Sequence, residues 1–356
     1  MHRFQEQLLA RRAVYFVDGR VFYRCRQDTY AEQCADHSPR GDSQQEYAHG
    51  DIRSSLLPMA AALDEPLRDF GDMLIYYTAR ALTFQSDTLR ALAGIIRRVS
   101  EKAKCRFLQG IPTVAFDAFL IFECSQLGAL RRRQGFPSYS WAGWKGGILM
   151  TKRDKMFHNL NRWLEEFTWI IWYKRSPSGV LNLIWDPSAN ESFPFGDLSY
   201  PGYRRRWPFR APPGVNINST RTYPTEDFDS EPTPKREYPL LQFWTVAACF
   251  RIQLEDEIKG RARIMTAQGT PAGHVRLDGM EETSIFTTQD SFEFILLSRV
   301  MERHFTELEE SEDRYYVMLL EWMGPVAERR GFGLLDMSAT AACLPPGPQW
   351  KEIVLG

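Results

Sequence analysis

The chain has 356 residues, 44% hydrophobic and 25% charged, an ordinary globular composition that excludes a disordered or fibrous protein. At roughly 150 residues per domain, it is long enough for two or three packed units. Its 44 Lys and Arg against 45 Asp and Glu leave a net charge of −1, so no overall field draws it to nucleic acid or an anionic membrane.

Phe4, Leu8 and Leu9 fall at helical spacing and lead into two β-prone runs, residues 13–17 and 20–23, around Asp18-Gly19. Asp-Gly is a favoured two-residue turn between antiparallel strands, so a hairpin is expected here. Asp18, Gly19 and Arg20 also cut the apolar run after Arg11 and Arg12, which therefore does not read as a secretory signal. Residues 26–55 are polar, with Ile52 as their one branched aliphatic, and read as a linker.

Helices are expected over 56–63 and 73–82, started by Asp64 or Asp72 and broken by Pro66. The clearest helix starts at Ser86 or Asp87, either of which can cap it, and places Leu89, Leu92, Ile95, Ile96 and Val99 on one stripe. After Gly110-Ile111-Pro112 another is expected over 113–130, with Phe116, Phe119 and Phe122. Arg131-Arg132-Arg133 would end it, where cations suit the helix dipole.

From Phe136 the texture becomes β-prone. Residues 168–174 and 180–185 bracket Ser176-Pro177-Ser178-Gly179 as a hairpin. Residues 186–239 are rich in proline and poor in aliphatics, as irregular chain is. Strands are then expected over 241–252, 262–265, 274–277, 292–300, 315–322, 326–334 and 350–355. The expected class is α+β. A helical subdomain (56–135) precedes a β-rich domain (136–356), sandwich-like or barrel-like, with the irregular insertion at 186–239. The most apolar later stretch, 167–173, is far short of the ~20 residues of a membrane span.

The chemical motifs are sparse. Six cysteines, at 25, 34, 105, 124, 249 and 343, include no Cys-x-x-Cys and read as free thiols of a reducing, cytoplasmic setting. Cys25, Cys34, His37 and His49 share the polar segment, but only Cys34 and His37 have the spacing of a zinc ligand pair. No Gly-x-Ser-x-Gly or His-Glu-x-x-His occurs. Glu165-Glu166 and Glu255-Asp256-Glu257 read as solvated faces, as do the carboxylates of 307–313. Asp227-Phe228-Asp229 is too short a match to carry metal chemistry. Gly143-Trp144-Lys145-Gly146-Gly147 lacks the Ser/Thr of a phosphate loop, and Gly331-Phe332-Gly333 lacks the third glycine of a dinucleotide fingerprint. Tyr203-Arg204-Arg205-Arg206-Trp207 interleaves arginine with aromatics as single-strand sites do, but is one short stretch. These patterns assign no catalytic residue, metal or cofactor.

Several strings, in order, resemble the fungal heterokaryon-incompatibility (HET) domain proteins. Phe4-Gln5-Glu6-Gln7-Leu8-Leu9-Ala10-Arg11-Arg12, before Val14-Tyr15-Phe16, resembles the closing block of the HET domain, above all at Gln5, Glu6, Leu8, Leu9 and Arg12. Tyr77-x-x-Arg80-x-Leu82-Thr83 and Ser86-Asp87-x-Leu89-x-Ala91-Leu92-Ala93-Gly94-Ile95 resemble the helical segment that follows it. Gly110-Ile111-Pro112 and Phe136-Pro137-Ser138-Tyr139-Ser140-Trp141-Ala142-Gly143-Trp144 resemble the next two landmarks. Tyr316-Val317-Met318-Leu319-Leu320-Glu321-Trp322, Ala327-Glu328-Arg329-Arg330-Gly331 and Trp350-Lys351-Glu352-Ile353 resemble the end. The same residues have plain structural uses: Ser86-Asp87 as a cap, Trp141 and Trp144 at a helix–sheet junction, Gly331 at a turn.

The family's opening block, of the type Leu-Ser-Tyr-x-Trp-Gly, is missing ahead of the Gln-Glu block. Ser138-Tyr139-Ser140-Trp141-Ala142-Gly143 is similar to it but lies downstream. The resemblance therefore implies that residues 1–25 are the final edge of a HET domain in a truncated relative. It implies self/non-self recognition leading to programmed cell death, through protein partners and without a cofactor. Two expectations follow. One is a non-enzymatic recognition or regulatory module. The alternative is an NAD-hydrolysing enzyme of the Toll/interleukin-receptor type, for which Glu6 is the candidate acid. The first is the expected reading.

Overall fold

The computed structural model describes residues 10, 12–17, 20–25, 29–31, 63, 65–125, 130–150, 156, 159–184, 215, 237–256, 260–279, 291–300 and 313–356. The fold is mixed α+β: a small N-terminal sheet, then helices, then a large, mainly antiparallel sheet. Strands β1 (Arg12–Val17) and β2 (Arg20–Cys25) pair with Val17 opposite Arg20, which leaves the two-residue loop that Asp18-Gly19 favours. A third strand, β3 (Thr29–Ala31), adds to β2, so the polar stretch read as a linker contains a strand. Side chains alternate across a strand. Phe22 is accordingly buried, while Val14 and Phe16, opposite Tyr23 and Val21, are exposed on the other face.

Helix α1 (Pro66–Thr78) begins at the proline expected to break it. Proline suits the first helical turn, where its fixed φ is already helical and its missing N–H leaves no bond unmade. Leu67, Phe70, Leu74 and Tyr77 then form one buried stripe. Helix α2 (Ala93–Ala103) buries Ile95, Val99 and Ala103, but it starts later than Ser86 or Asp87, and neither residue caps it. Two 3-10 turns, Gln85–Asp87 and Arg90–Leu92, stand in between. The cause is long-range: the Tyr77 hydroxyl donates to the Thr88 carbonyl at 2.7 Å, and the Leu92 amide turns to Leu89 instead.

The helix expected over 113–130 is also cut short. After β4 (Phe107–Leu108) and β5 (Ile111–Pro112), which pair, α3 (Phe116–Leu120) lasts five residues. The chain then enters β6 (Phe122–Cys124), because the carbonyls of Leu120 and Phe122 accept bonds from the Arg329 guanidinium rather than from helical amides. Arg131 and Arg132 end no helix. They form β7 (Arg131–Arg132), paired with β8 (Trp144–Lys145). Strand β9 (Ile148–Met150) pairs with β6, and α4 (Leu160–Glu166) follows.

The hairpin around Ser176–Gly179 forms, as β10 (Tyr173–Arg175) and β11 (Leu181–Leu183). All seven later strands also form: β12 (Leu240–Asp256), β13 (Arg261–Met265), β14 (Pro271–Leu277), β15 (Phe292–Arg299), β16 (Arg314–Met323), β17 (Val326–Asp336) and β18 (Gln349–Leu355). Together with β10 and β11 they make a nine-stranded sheet. Strand β12, 17 residues long, organises it. Along its length β12 pairs with β10, β18, β15 and β13. From β13 the ladder runs through β14, β17, β16 and β15 and returns to β12, so the sheet closes on itself as a barrel does. One parallel contact, Ala327 with Leu355, joins β17 to β18.

Closure depends on backbones that nearly touch. A Cβ on Gly333 would stand 2.1 Å from the His274 carbonyl oxygen, and one on Gly273 the same distance from that of Leu334. Gly331 and Gly333 thus serve the β14–β17 seam, inside a strand rather than at a turn. Most of the buried apolar side chains form one connected cluster from Leu63 to Leu355, shared by the helices and the sheet.

Candidate functional site

The motif-bearing segments converge where the helices meet the barrel. Residues 137–144 are buried almost throughout and are held by side chains that bond backbone. Ser140 accepts from the Ala142 amide at 3.0 Å, starting a 3-10 turn (Trp141–Gly143), and donates to the Gln109 carbonyl at 2.6 Å. Trp141 Nε1 donates to the Gly110 carbonyl at 2.9 Å, and its ring meets Tyr77 edge-on at 6.0 Å. Gly110 has φ +81, and a Cβ there would come within 2.8 Å of both Trp141 and Leu89, so only glycine fits. Trp144 Nε1 returns to the Ser138 carbonyl at 2.8 Å. Arg132 Nη1 reaches the carbonyls of Arg133, Phe136 and Gly143, at 2.7–3.1 Å, beside the Trp144 ring.

Ser138 ties this loop to the barrel. Its hydroxyl accepts from the Arg329 amide at 2.8 Å and donates to the carbonyl of Gly356, which also accepts from the Ser138 amide. The Arg329 side chain is 0% exposed. Its Nε donates to Asp278 Oδ2 at 2.7 Å, and its terminal nitrogens to the carbonyls of Leu120 (3.2 Å) and Phe122. The guanidinium lies 3.6 Å from the centre of the Phe122 ring, a cation–π contact.

A β-bulge makes this geometry possible. Along β16 and β17, Leu319 faces Gly331 while Leu320 faces Arg329, so Arg330 is the extra residue. The bulge lets two consecutive arginines serve different partners: Arg329 pairs with Asp278, and Arg330 pairs with Glu321. Asp278, 1% exposed, keeps its second oxygen without a hydrogen-bond partner. Burial pushes its carboxyl above the usual range, and the charges of Arg329 and Arg330 pull it partly back.

Comparisons with known proteins return nothing: no protein family, no curated protein and no solved structure matches this chain. The site is therefore read from its own chemistry. Among the described residues, no group of three or more His, Cys, Asp or Glu side chains could hold a metal ion. No helix among them is long and apolar enough to cross a membrane. At the junction, the indoles and guanidinia named above are bonded to backbone carbonyls or carboxylates, and the spare oxygen of Asp278 is sealed from solvent. The arrangement locks a fold. It does not present a reacting group to a substrate.

The landmark residues divide accordingly. Pro137, Ser138, Trp141 and Trp144 are brought together, and Leu82 packs against the same core. Arg12, Arg80 and Thr83 are exposed, Asp87 stands 4.0 Å from Arg90, and Gly94 is half-buried in α2. Gln5, Glu6, Leu8 and Leu9 lie outside the described residues, as do Cys34, His37 and His49. So do the Asp227-Phe228-Asp229, 203–207 and 307–312 segments. Glu166 pairs with Arg162, and Glu255 with Arg263. Sequence reading missed Asp278 altogether. Arg329 stands between Glu328 and Arg330 and so reads as part of a charged run, and nothing in one sequence marks it as buried or names its carboxylate partner.

Proposed function

We propose that this chain is a non-enzymatic recognition and regulatory module of the heterokaryon-incompatibility type. It would act in the cytoplasm, in self/non-self recognition and programmed cell death, by binding a protein partner. The observation that carries the reading is the outer face of the N-terminal sheet. Val14 is 53% exposed, Phe16 80% and Tyr30 57%, and the rings of Tyr23 and Tyr30 lie 6.2 Å apart on that face. Contiguous exposed aromatics of this kind mark protein contact surfaces, where such side chains supply most of the binding energy. The landmark strings support the same reading from the other side. Tyr77, Gly110, Ser138, Trp141, Trp144 and Arg329 meet in one sealed junction, so they serve architecture and leave binding to the surface.

Phe16→Asp tests this without harming the fold, since exposed substitutions change stability by about 0.5 kcal/mol or less. Proximity labelling in fungal cells, followed by binding measurements with the captured protein, should show a partner whose affinity falls roughly thirtyfold in the variant, as loss of an interface anchor worth about 2 kcal/mol requires. Equal binding by both forms would sink the assignment of this face.

A further inference from the structure

Four free cysteines lie among the described residues, and a backbone hydrogen bond brings the chain at two of them together. Cys249 is half-buried in β12. Cys343 is buried just after the 3-10 segment Met337–Ala342. The Leu344 amide donates to the Cys249 carbonyl at 2.7 Å, and the Ala267 amide to the Ala342 carbonyl at 2.9 Å, so the chain at 342–344 is fastened to the barrel. Two bonds separate each cysteine Cα from the Leu344–Cys249 contact. That holds the two Cα atoms within about 7.5 Å, close to the ~4.4–6.8 Å that disulfides use. Burial raises the Cys343 thiol above its ordinary value, and the neighbouring Cys249 raises it further, as two thiols close together do.

We propose that Cys249 and Cys343 are a reversible disulfide site, a redox-responsive clasp between β12 and the segment leading into β18. The oxidant is a low-molecular-weight disulfide such as glutathione disulfide. The more exposed Cys249 thiolate attacks one glutathione sulfur and releases glutathione as thiolate, leaving a mixed disulfide. Cys343 loses its proton to solvent and attacks Cys249 Sγ, expelling the second glutathione. Two protein thiols and one glutathione disulfide become one protein disulfide and two glutathione thiols. Cys105 is a poor first nucleophile, because it is buried and burial pushes its thiol up to about 12. The clasp secures the approach to β18, whose end delivers Gly356 to Ser138 at the junction. It is independent of the partner reading above.

Reduced full-length protein, freed of reductant, is incubated with glutathione disulfide, blocked with N-ethylmaleimide in denaturant and mapped by proteolysis and mass spectrometry without reduction. The expected product is a Cys249–Cys343 linked peptide that dithiothreitol reverses, accompanied by a higher thermal midpoint. Cys343→Ser should instead accumulate glutathione on Cys249, because serine cannot resolve the adduct. If that variant does not fold, the wild-type map decides alone. The proposal fails if Cys249 in folded wild-type protein stays free, retains glutathione, or links to any other cysteine.

Discussion

Asp278→Ala is expected to destabilise the protein by about 3–5 kcal/mol, because it strands the Arg329 guanidinium in a site with no access to solvent. Arginine cannot escape by losing a proton. Arg329→Met leaves the opposite problem, a buried carboxyl, and that group can escape by gaining one. The two variants should therefore differ in pH dependence when followed by urea denaturation. The deficit of Arg329→Met narrows as the pH falls and Asp278 protonates, whereas that of Asp278→Ala does not. The double variant should lose less than the sum of the singles, since each alone leaves an uncompensated partner. Two small, additive losses would mean that the pair is solvated.

Wild-type stability should carry the same signature. Burial raises the folded pKa of Asp278 above its ordinary 3.8. The folded state then binds the proton more tightly than the unfolded chain. The stability this group contributes is full below 3.8 and is lost as the pH rises through the raised folded value. Asp278→Asn cannot ionise and should lack that decline.

Trp141→Ala is the second large effect. The side chain is 1% exposed and fills the corner between Tyr77, Leu89 and Gly110. Its removal costs about 3–5 kcal/mol for the lost burial and the cavity left behind. The Gly110 carbonyl also loses its donor, which adds about 1 kcal/mol. Trp141→Phe separates the terms by keeping most of the ring and losing the N–H. Phe84→Ala, at a large exposed side chain, is the matched control and should change stability by about 0.5 kcal/mol or less. A Trp141→Ala midpoint equal to that of the control would mean the junction is not close-packed.

What could be read from the chain was what neighbours in sequence decide. Asp18-Gly19 fixes its own hairpin, and the runs around Phe294, Val317 and Ile353 carry enough β-branched and aromatic residues to be strands on their own. Helix limits were misread where distant groups intervene. Tyr77 takes the Thr88 carbonyl that a helix from Ser86 would use, and Arg329 takes those of Leu120 and Phe122, some two hundred residues earlier. Pro66 is a local case misjudged, since proline starts a helix as readily as it breaks one. Closure of the sheet was equally illegible. It depends on β12 meeting four partners along one strand, and on Gly273 and Gly333 letting β14 approach β17. At the junction Trp141 and Trp144 could be placed beforehand, but the buried pair could not, because Asp278 directly follows a strand, where an ordinary turn residue would stand.

The role proposed for this chain is recognition without catalysis. The most direct test is NAD consumption by the purified, folded full-length protein beside Glu6→Ala. The account predicts no turnover above buffer in either sample. Turnover by the wild type that disappears in Glu6→Ala would contradict it and make the chain an NAD-cleaving enzyme.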